Sequence, residues 1–320
     1  MTSVDFLRGI VPAVVTPMRP DYSVDYEAIP QVVNAVAKPG VSAICCTAHV
    51  GEVRKLSRDE RIRVAEAYVR ASGTRLAVIA GLESEFIGEA VGMLKDLEAV
   101  GVSAVMVLPP WHMAGTVLGL FGAAGYVDPS GEHTYRYHAE LAESTDLPLL
   151  LFNYGTGSTA GYSEVALEKL CRIERVKGMK IASTSPLYLQ ETIKVVRAYR
   201  PDLSVLIADD LTLFFNLLHE PDGALIGIAS VATDMWVTMW ELVTAKRYEE
   251  ALALHRRLTP LMLATHIPLP VHVVRIKIAL KELGVLPSAA ARPPYYQTDA
   301  DTQVVRQALR DSGLYQSAAA

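Results

Sequence analysis

The sequence predicts an α/β fold, a closed (β/α)8 TIM barrel carrying a helical appendage at its C-terminal end. Three observations predict it. Short aliphatic runs alternate with longer segments of helical periodicity about eight times, the unit count of a barrel of roughly 250 residues. Most of these runs are apolar on both faces, as parallel strands covered on each side must be. The first run ends in Thr16-Pro17-Met18 with no G-x-G-x-x-G, the turn a doubly wound sheet would carry there.

Taken in order, the run Val11–Thr16 leads into helical periodicity over Tyr26–Ala37. Ser42–Thr47 leads into Arg58–Ala71, where Ile62, Ala65 and Val69 recur at i, i+3 and i+7 opposite Arg58, Glu60, Arg61 and Arg63. Ser57 and Glu60 stand at the spacing of a capping box that opens this helix. The remaining strands are expected at Leu76–Gly81, Ala104–Leu108, Leu149–Asn153, Val176–Ile181, Ser204–Ala208 and Ala224–Ile228. Residues 1–232 form the barrel through strand eight, and 233–320 the closing helix and appendage. Within that tail, helices are expected at Trp236–Ala245, Tyr248–Leu263, His272–Leu283 and near Ala300–Ser312. The rhythm also breaks at 111–131, a long Gly-rich insertion after strand four. In a barrel it lies on the C-terminal face, where active sites sit.

Composition excludes several classes. Apolar residues make up 51% of the 320 and charged residues 20%, so a disordered chain is excluded. A net charge of −5, with no extended basic cluster, speaks against nucleic acid and anionic lipid as partners. Three cysteines, Cys45, Cys46 and Cys171, do not make a disulfide scaffold and suit a reducing compartment. No run approaches the ~18 apolar residues of a membrane span. A soluble, cytoplasmic protein is expected.

The histidines are scattered, and adjacent Asp209 and Asp210 would point to opposite faces of a strand, so no metal is expected. No P-loop and no G-x-S-x-G elbow occurs. Lys180 remains. Alternation places Val176, Gly178 and Lys180 on one face of strand six and Lys177, Met179 and Ile181 on the other. The apolar pair suits the helix-packed outside, which points Lys180 into the barrel mouth. A lysine desolvated there loses its proton readily and becomes a nucleophile toward carbonyls, the iminium then serving as an electron sink. The alternative is a strand-end lysine that reaches solvent. On strand five, Phe152 and Tyr154 share a face, and an inward Tyr154 would stand near the lysine as a proton shuttle.

These residues resemble the dihydrodipicolinate synthase / N-acetylneuraminate lyase superfamily of pyruvate-dependent class I aldolases, over nearly the whole chain. Gly9–Met18 looks like its first strand, and Ala48-His49-Val50-Gly51-Glu52 with Leu56–Arg61 like its carboxylate-binding loop and following helix. Ile79-Ala80-Gly81, Leu108-Pro109-Pro110, Lys177-Gly178-Met179-Lys180 and Asp222–Gly227 follow in family order. The resemblance implies that Lys180 forms a Schiff base with pyruvate or another 2-oxo acid, that Ser230 is a substrate contact, and that the chain is a homotetramer.

The departures bear on function. The family's strand-five tyrosine is Phe152 here; Tyr154 either takes over its task, from a place roughly 6–7 Å higher in the mouth, or the shuttle is lost. Both hydroxyls of the family's Gly-Thr-Thr-Gly-Glu loop are gone, leaving the backbone of Val50 and Gly51 and adding His49, able to bind a carboxylate or act as acid or base. Gly155–Gly161 has no arginine for a second carboxylate, which disfavours dihydrodipicolinate synthesis. Trp111, Phe121, Tyr126 and Trp236 suggest a bulky or aromatic aldehyde partner, as in the family's hydratase-aldolases. The reading is a Schiff-base lyase for reversible aldol cleavage, with Lys180 and Tyr154 catalytic and His49, Val50, Gly51, Ser230 and Trp111 on substrate. No cofactor is expected, since the lysine is the sink. The alternatives are a dehydratase of a sugar-derived 2-oxo acid and a non-catalytic binding protein.

Overall fold

The computed structural model describes residues 4–84, 86–108, 128, 130–154 and 161–315. Eight parallel strands form the barrel: β1 (Gly9–Pro12), β2 (Ala43–Cys46), β3 (Ala77–Leu82), β4 (Ala104–Val107), β5 (Leu149–Tyr154), β6 (Val176–Ala182), β7 (Ser204–Ile207) and β8 (Gly223–Ile226). Their ladder runs from β2 through β8 to β1. The ring is completed just past the strand ends, where Ala13 bridges Cys45 and the Val14 N–H donates to the Cys45 carbonyl at 2.9 Å. All eight expected strands are present. The first starts two residues earlier than the apolar run, because Gly9 pairs directly with Gly223, where a Cβ would meet the Gly9 carbonyl at 2.2 Å. The end of that run instead climbs toward the mouth, and Thr16 Oγ1 donates to the Gly51 carbonyl at 2.7 Å.

The helices α1 (Ile29–Val36), α2 (Arg58–Ser72), α3 (Ile87–Ala99), α4 (Glu132–Glu143), α5 (Glu164–Cys171), α6 (Pro186–Tyr199), α7 (Leu213–Leu217) and α8 (Thr233–Thr244) follow the eight strands in turn. The capping box of α2 is formed, with Ser57 accepting from the Glu60 N–H and Glu60 accepting from the Ser57 N–H. Its buried stripe differs from the expected one. Val64, Ala65 and Tyr68 face the barrel while Ile62 and Val69 are half-buried, because Tyr68 reaches the Val15 carbonyl at 2.5 Å and fixes the helix's rotation. Among the described residues three further helices follow: α9 (Tyr248–His266), α10 (His272–Glu282) and α11 (Asp299–Asp311). Between α9 and α10 the chain bends by 90°. Among the described residues no single helix is long and apolar enough to cross a membrane.

Register decides which side chains enter the barrel. Phe152 pairs with Lys180, and Lys180 with Leu206, so all three share the inner face. Below them Gly178 pairs with Leu150, and a Cβ there would approach the Leu150 Cδ1 to 2.5 Å. Glycine at this position leaves the interior room for Leu150 and Leu7, which close the floor under Lys180.

Candidate active site

The C-terminal ends of the strands surround a cavity of about 520 Å3, and Lys180 is in its wall. The lysine is only 7% exposed, and burial holds its ammonium pKa below the usual lysine value, with Cys45 and Asp210 pulling weakly the other way. Its Nζ lies 4.1 Å from the centroid of the Phe152 ring. The position where the family resemblance would place a phenol is thus an apolar face against the amine. Tyr154 stacks on the Phe152 ring, with centroids 4.1 Å apart, and lines the same cavity. Burial raises its phenol pKa, so it stays protonated and can act as a donor.

The loop after β2 folds back tightly on the mouth. Thr47 and Glu52 both have positive φ, and a Cβ on Gly51 would meet the Thr47 nitrogen at 2.8 Å. The Glu52 and Val53 N–H groups are taken by the His49 and Ala48 carbonyls. No hydrogen bond commits the N–H groups of Val50 or Gly51 among the described residues; Val50 lines the cavity, whereas Gly51 is buried beside it and is not in the lining. His49 lines the cavity with its outer edge open to solvent. Surrounding protein, then the charges of Lys180, Arg54 and Lys55, lower its pKa to about 4. In the unliganded site it is therefore a neutral imidazole at pH 7, a hydrogen-bonding group rather than a charge.

The other expected contacts stand differently. Ser230 is buried with its hydroxyl donated to the Ala13 carbonyl at 2.7 Å, and it does not line the cavity. Trp236 is fully buried in α8, its indole donating to the Val231 carbonyl, so it is no part of the mouth. Trp111, Phe121, Tyr126 and the rest of the 111–127 stretch lie outside the described residues.

Sequence reasoning missed one wall of the cavity. Asp210, two residues past Ala208 and four past the inward Leu206, continues the inner face, while Asp209, also at the cavity, accepts from the N–H and hydroxyl of Thr212. Asp210 accepts from the Ile228 N–H at 2.8 Å and faces His266 Nε2 at 3.0 Å. His272 stacks on His266 with centroids 4.0 Å apart. Both imidazoles use Nδ1 on backbone carbonyls, His266 on Met262 and His272 on Thr265. Burial alone would lower the His266 pKa, but Asp210 outweighs it and the net shift is upward. Asp210, which burial alone would raise, is correspondingly lowered by His266. His272 is lowered to about 3, first by burial and then by its charged neighbour. Among the described residues these three are the one set of His, Cys, Asp or Glu donors within 4.8 Å of one another. The opposed shifts and the short contact are those of an imidazolium–carboxylate ion pair. Period-2 alternation past β7 was the available signal for Asp210. The histidines gave none, because only the bend between α9 and α10 brings them to the mouth.

Fold and mouth together define a (β/α)8 barrel lyase. The model of the dihydrodipicolinate synthetase family matches residues 6–311, and the chain belongs to that family. A 4-hydroxy-tetrahydrodipicolinate synthase from Archaeoglobus fulgidus is 28% identical over 310 residues, covering 96% of this chain and 99% of the relative. An uncharacterized DapA-like lyase from Thermococcus kodakarensis is 28% identical over 291 residues, covering 90% and 94%. Among solved structures, a monomeric dihydrodipicolinate synthase variant superposes with a TM-score of 0.87 at 22% identity, covering 98% of this chain and all of that one.

Proposed function

We propose that the protein is a Schiff-base lyase that holds pyruvate as an imine on Lys180 and catalyses reversible aldol cleavage. One observation carries the reading: among the described residues the one lysine in the cavity wall is desolvated, which lowers its pKa and eases loss of the proton that makes the amine a nucleophile. The amine attacks the C2 carbonyl of the 2-oxo acid. The carbinolamine expels its hydroxyl as water, with Tyr154 donating the proton, and the iminium remains. Loss of a C3 proton gives the enamine, whose C3 attacks the aldehyde carbon; hydrolysis returns the amine and the product. The N–H groups of Val50 and Gly51 receive the 2-oxo-acid carboxylate, with neutral His49 beside them.

The aldehyde half meets Phe152, Leu211, Leu225 and Leu269, an apolar wall that suits a bulky or aromatic aldehyde. The relatives' named reaction is not carried over, since Gly155–Gly161 has no arginine to hold a second carboxylate. Assembly as a homotetramer belongs to the same reading, and sedimentation velocity checks it. The imine is tested by intact-mass spectrometry after pyruvate and borohydride. A reduced pyruvyl adduct is expected on the wild type and none on Lys180→Ala. A wild type that takes up no mass from pyruvate would end this reading and leave a non-catalytic binding protein.

A further inference from the structure

The cavity wall past the end of β7 holds a carboxylate and two imidazoles that the imine chemistry above does not use. We propose that Asp210 and His266 form the acid–base station for C3 of the bound 2-oxo acid, with His272 as a positioning residue behind them. The inference rests on the Schiff-base reading and extends it.

Asp210 is on the cavity side of the pair, continuing the inner face above Leu206, the residue in register with Lys180. Its charge acts on Lys180, and its other oxygen is pinned by the Ile228 N–H. His266 stands behind it at 3.0 Å, but Nε2 is buried and the carboxylate oxygen lies off its N–H axis, so charge rather than an aligned bond holds the proton. Such a proton is available for transfer. His272 fixes the imidazole plane by stacking, and Gly227 makes this possible: a Cβ there would come within 3.2 Å of His272 Nε2 and 2.6 Å of Val50 Cγ2. The residue that places the carboxylate loop against β8 is thus the one that admits the histidine.

The step balances without a co-reactant. The C3–H bond of the pyruvyl iminium breaks and its electron pair forms C2=C3, while the iminium π pair returns to nitrogen. The proton passes to Asp210 and rests on His266 Nε2. In the next step the same proton goes to the oxygen of the aldehyde as C3 attacks it. The neutral form of His266 is the base, so proton removal speeds up as pH rises through its titration, which lies above 6.5. The charged and titratable groups facing the station are Asp209 and Asp210 from the end of β7, His272 from α10, His49 from the loop after β2 and Lys180 from β6.

The test needs no aldehyde. Pyruvate in D2O exchanges its methyl protons through the enamine, and NMR follows the loss of the methyl signal while borohydride trapping reports the imine separately. Asp210→Asn keeps an acceptor for Ile228, and His266→Asn keeps a polar side chain. Both are expected to trap pyruvate to the wild-type extent but to exchange at least about 100-fold more slowly, the ordinary size of a general base. At saturating pyruvate, with Lys180 already consumed as imine, the rise of exchange with pH is expected in the wild type and absent in His266→Asn. Tyr154→Phe should instead slow trapping and exchange together, since every exchange event passes through imine formation and hydrolysis. Exchange within about three-fold of wild type in both station variants, well short of a general-base effect, would overturn the proposal. Loss of trapping in either would do so too, as would wild-type exchange abolished by dialysis against EDTA. A wild type that traps no pyruvate removes the underlying reading instead, and this one with it.

Discussion

Phe152 is where the chemistry of this chain departs most from its family pattern, and its effect is local and physical. A phenol at that place would solvate the Lys180 amine; the phenyl ring instead contacts Nζ at 4.1 Å and keeps water away. Desolvation penalises the charged form, so the amine is free at a pH below the usual 10.5 and imine formation should titrate there. Phe152→Ser admits water to the amine. The midpoint of borohydride trapping against pH is expected to move up toward 10.5, and each unit removes about ten-fold of the free amine near neutral pH. An unchanged midpoint would mean that the ring is not what holds the pKa down. Lys180 and Tyr154 were legible in the sequence because period-2 alternation on a single strand fixes the side each one faces. His266 and His272 were not, because they reach the mouth only through a bend in the appendage.

At the scale of elements, the strands were legible from composition and the helices from periodicity, while rotation about a helix axis was not. In α2 the buried face follows Tyr68, whose hydroxyl finds the Val15 carbonyl across the barrel wall, a contact that no local pattern announces. Helix α4 shows the same dependence through a histidine. His138 is fully buried, donates from Nδ1 to the Thr134 carbonyl and faces the Tyr162 hydroxyl at 3.4 Å. Burial lowers its pKa to about 4, although the Thr134 carbonyl pulls the other way. The folded value lies below the unfolded value of about 6.5, so the unfolded state binds the proton first. The stability contributed by the neutral ring is complete above about pH 6.5 and is lost as pH falls through about 4. The loss is on the order of 3 kcal/mol. Thermal melts of the wild type should therefore fall over that window, and His138→Gln should fall less, its side chain having no proton to bind. Parallel pH curves for the two would show that α4 does not sense acid through this residue.

Over the whole molecule, the C-terminal appendage is bound to the mouth by charge. Glu52, at the strained end of the carboxylate loop, is almost wholly buried and forms an ion pair with Lys277 of α10, itself completely buried. Lys55 and the Arg292 N–H also donate to Glu52, and Arg292 reaches on to Glu60, the residue that caps α2. One network thus joins the loop that presents Val50 and Gly51, the helix after it and residues 277–292. The barrel alone would leave Glu52 a desolvated carboxylate without its main partner, so the appendage is a condition for the loop rather than an ornament on it. Lys277→Met strands that charge and is expected to cost about 3–5 kcal/mol, read as a drop in the urea midpoint at constant slope. Glu52→Gln combined with Lys277→Met removes the stranded charge along with the pair, and should recover part of that stability. Recovery of stability need not restore the loop, because the neutral amide no longer draws Lys55 and the Arg292 backbone with the same force. The double variant should therefore fold better than Lys277→Met yet still need more pyruvate for half-maximal trapping than the wild type. If instead Lys277→Met alone melts like the wild type, the pair contributes no net stability and the loop is held by Thr16 and its own turn.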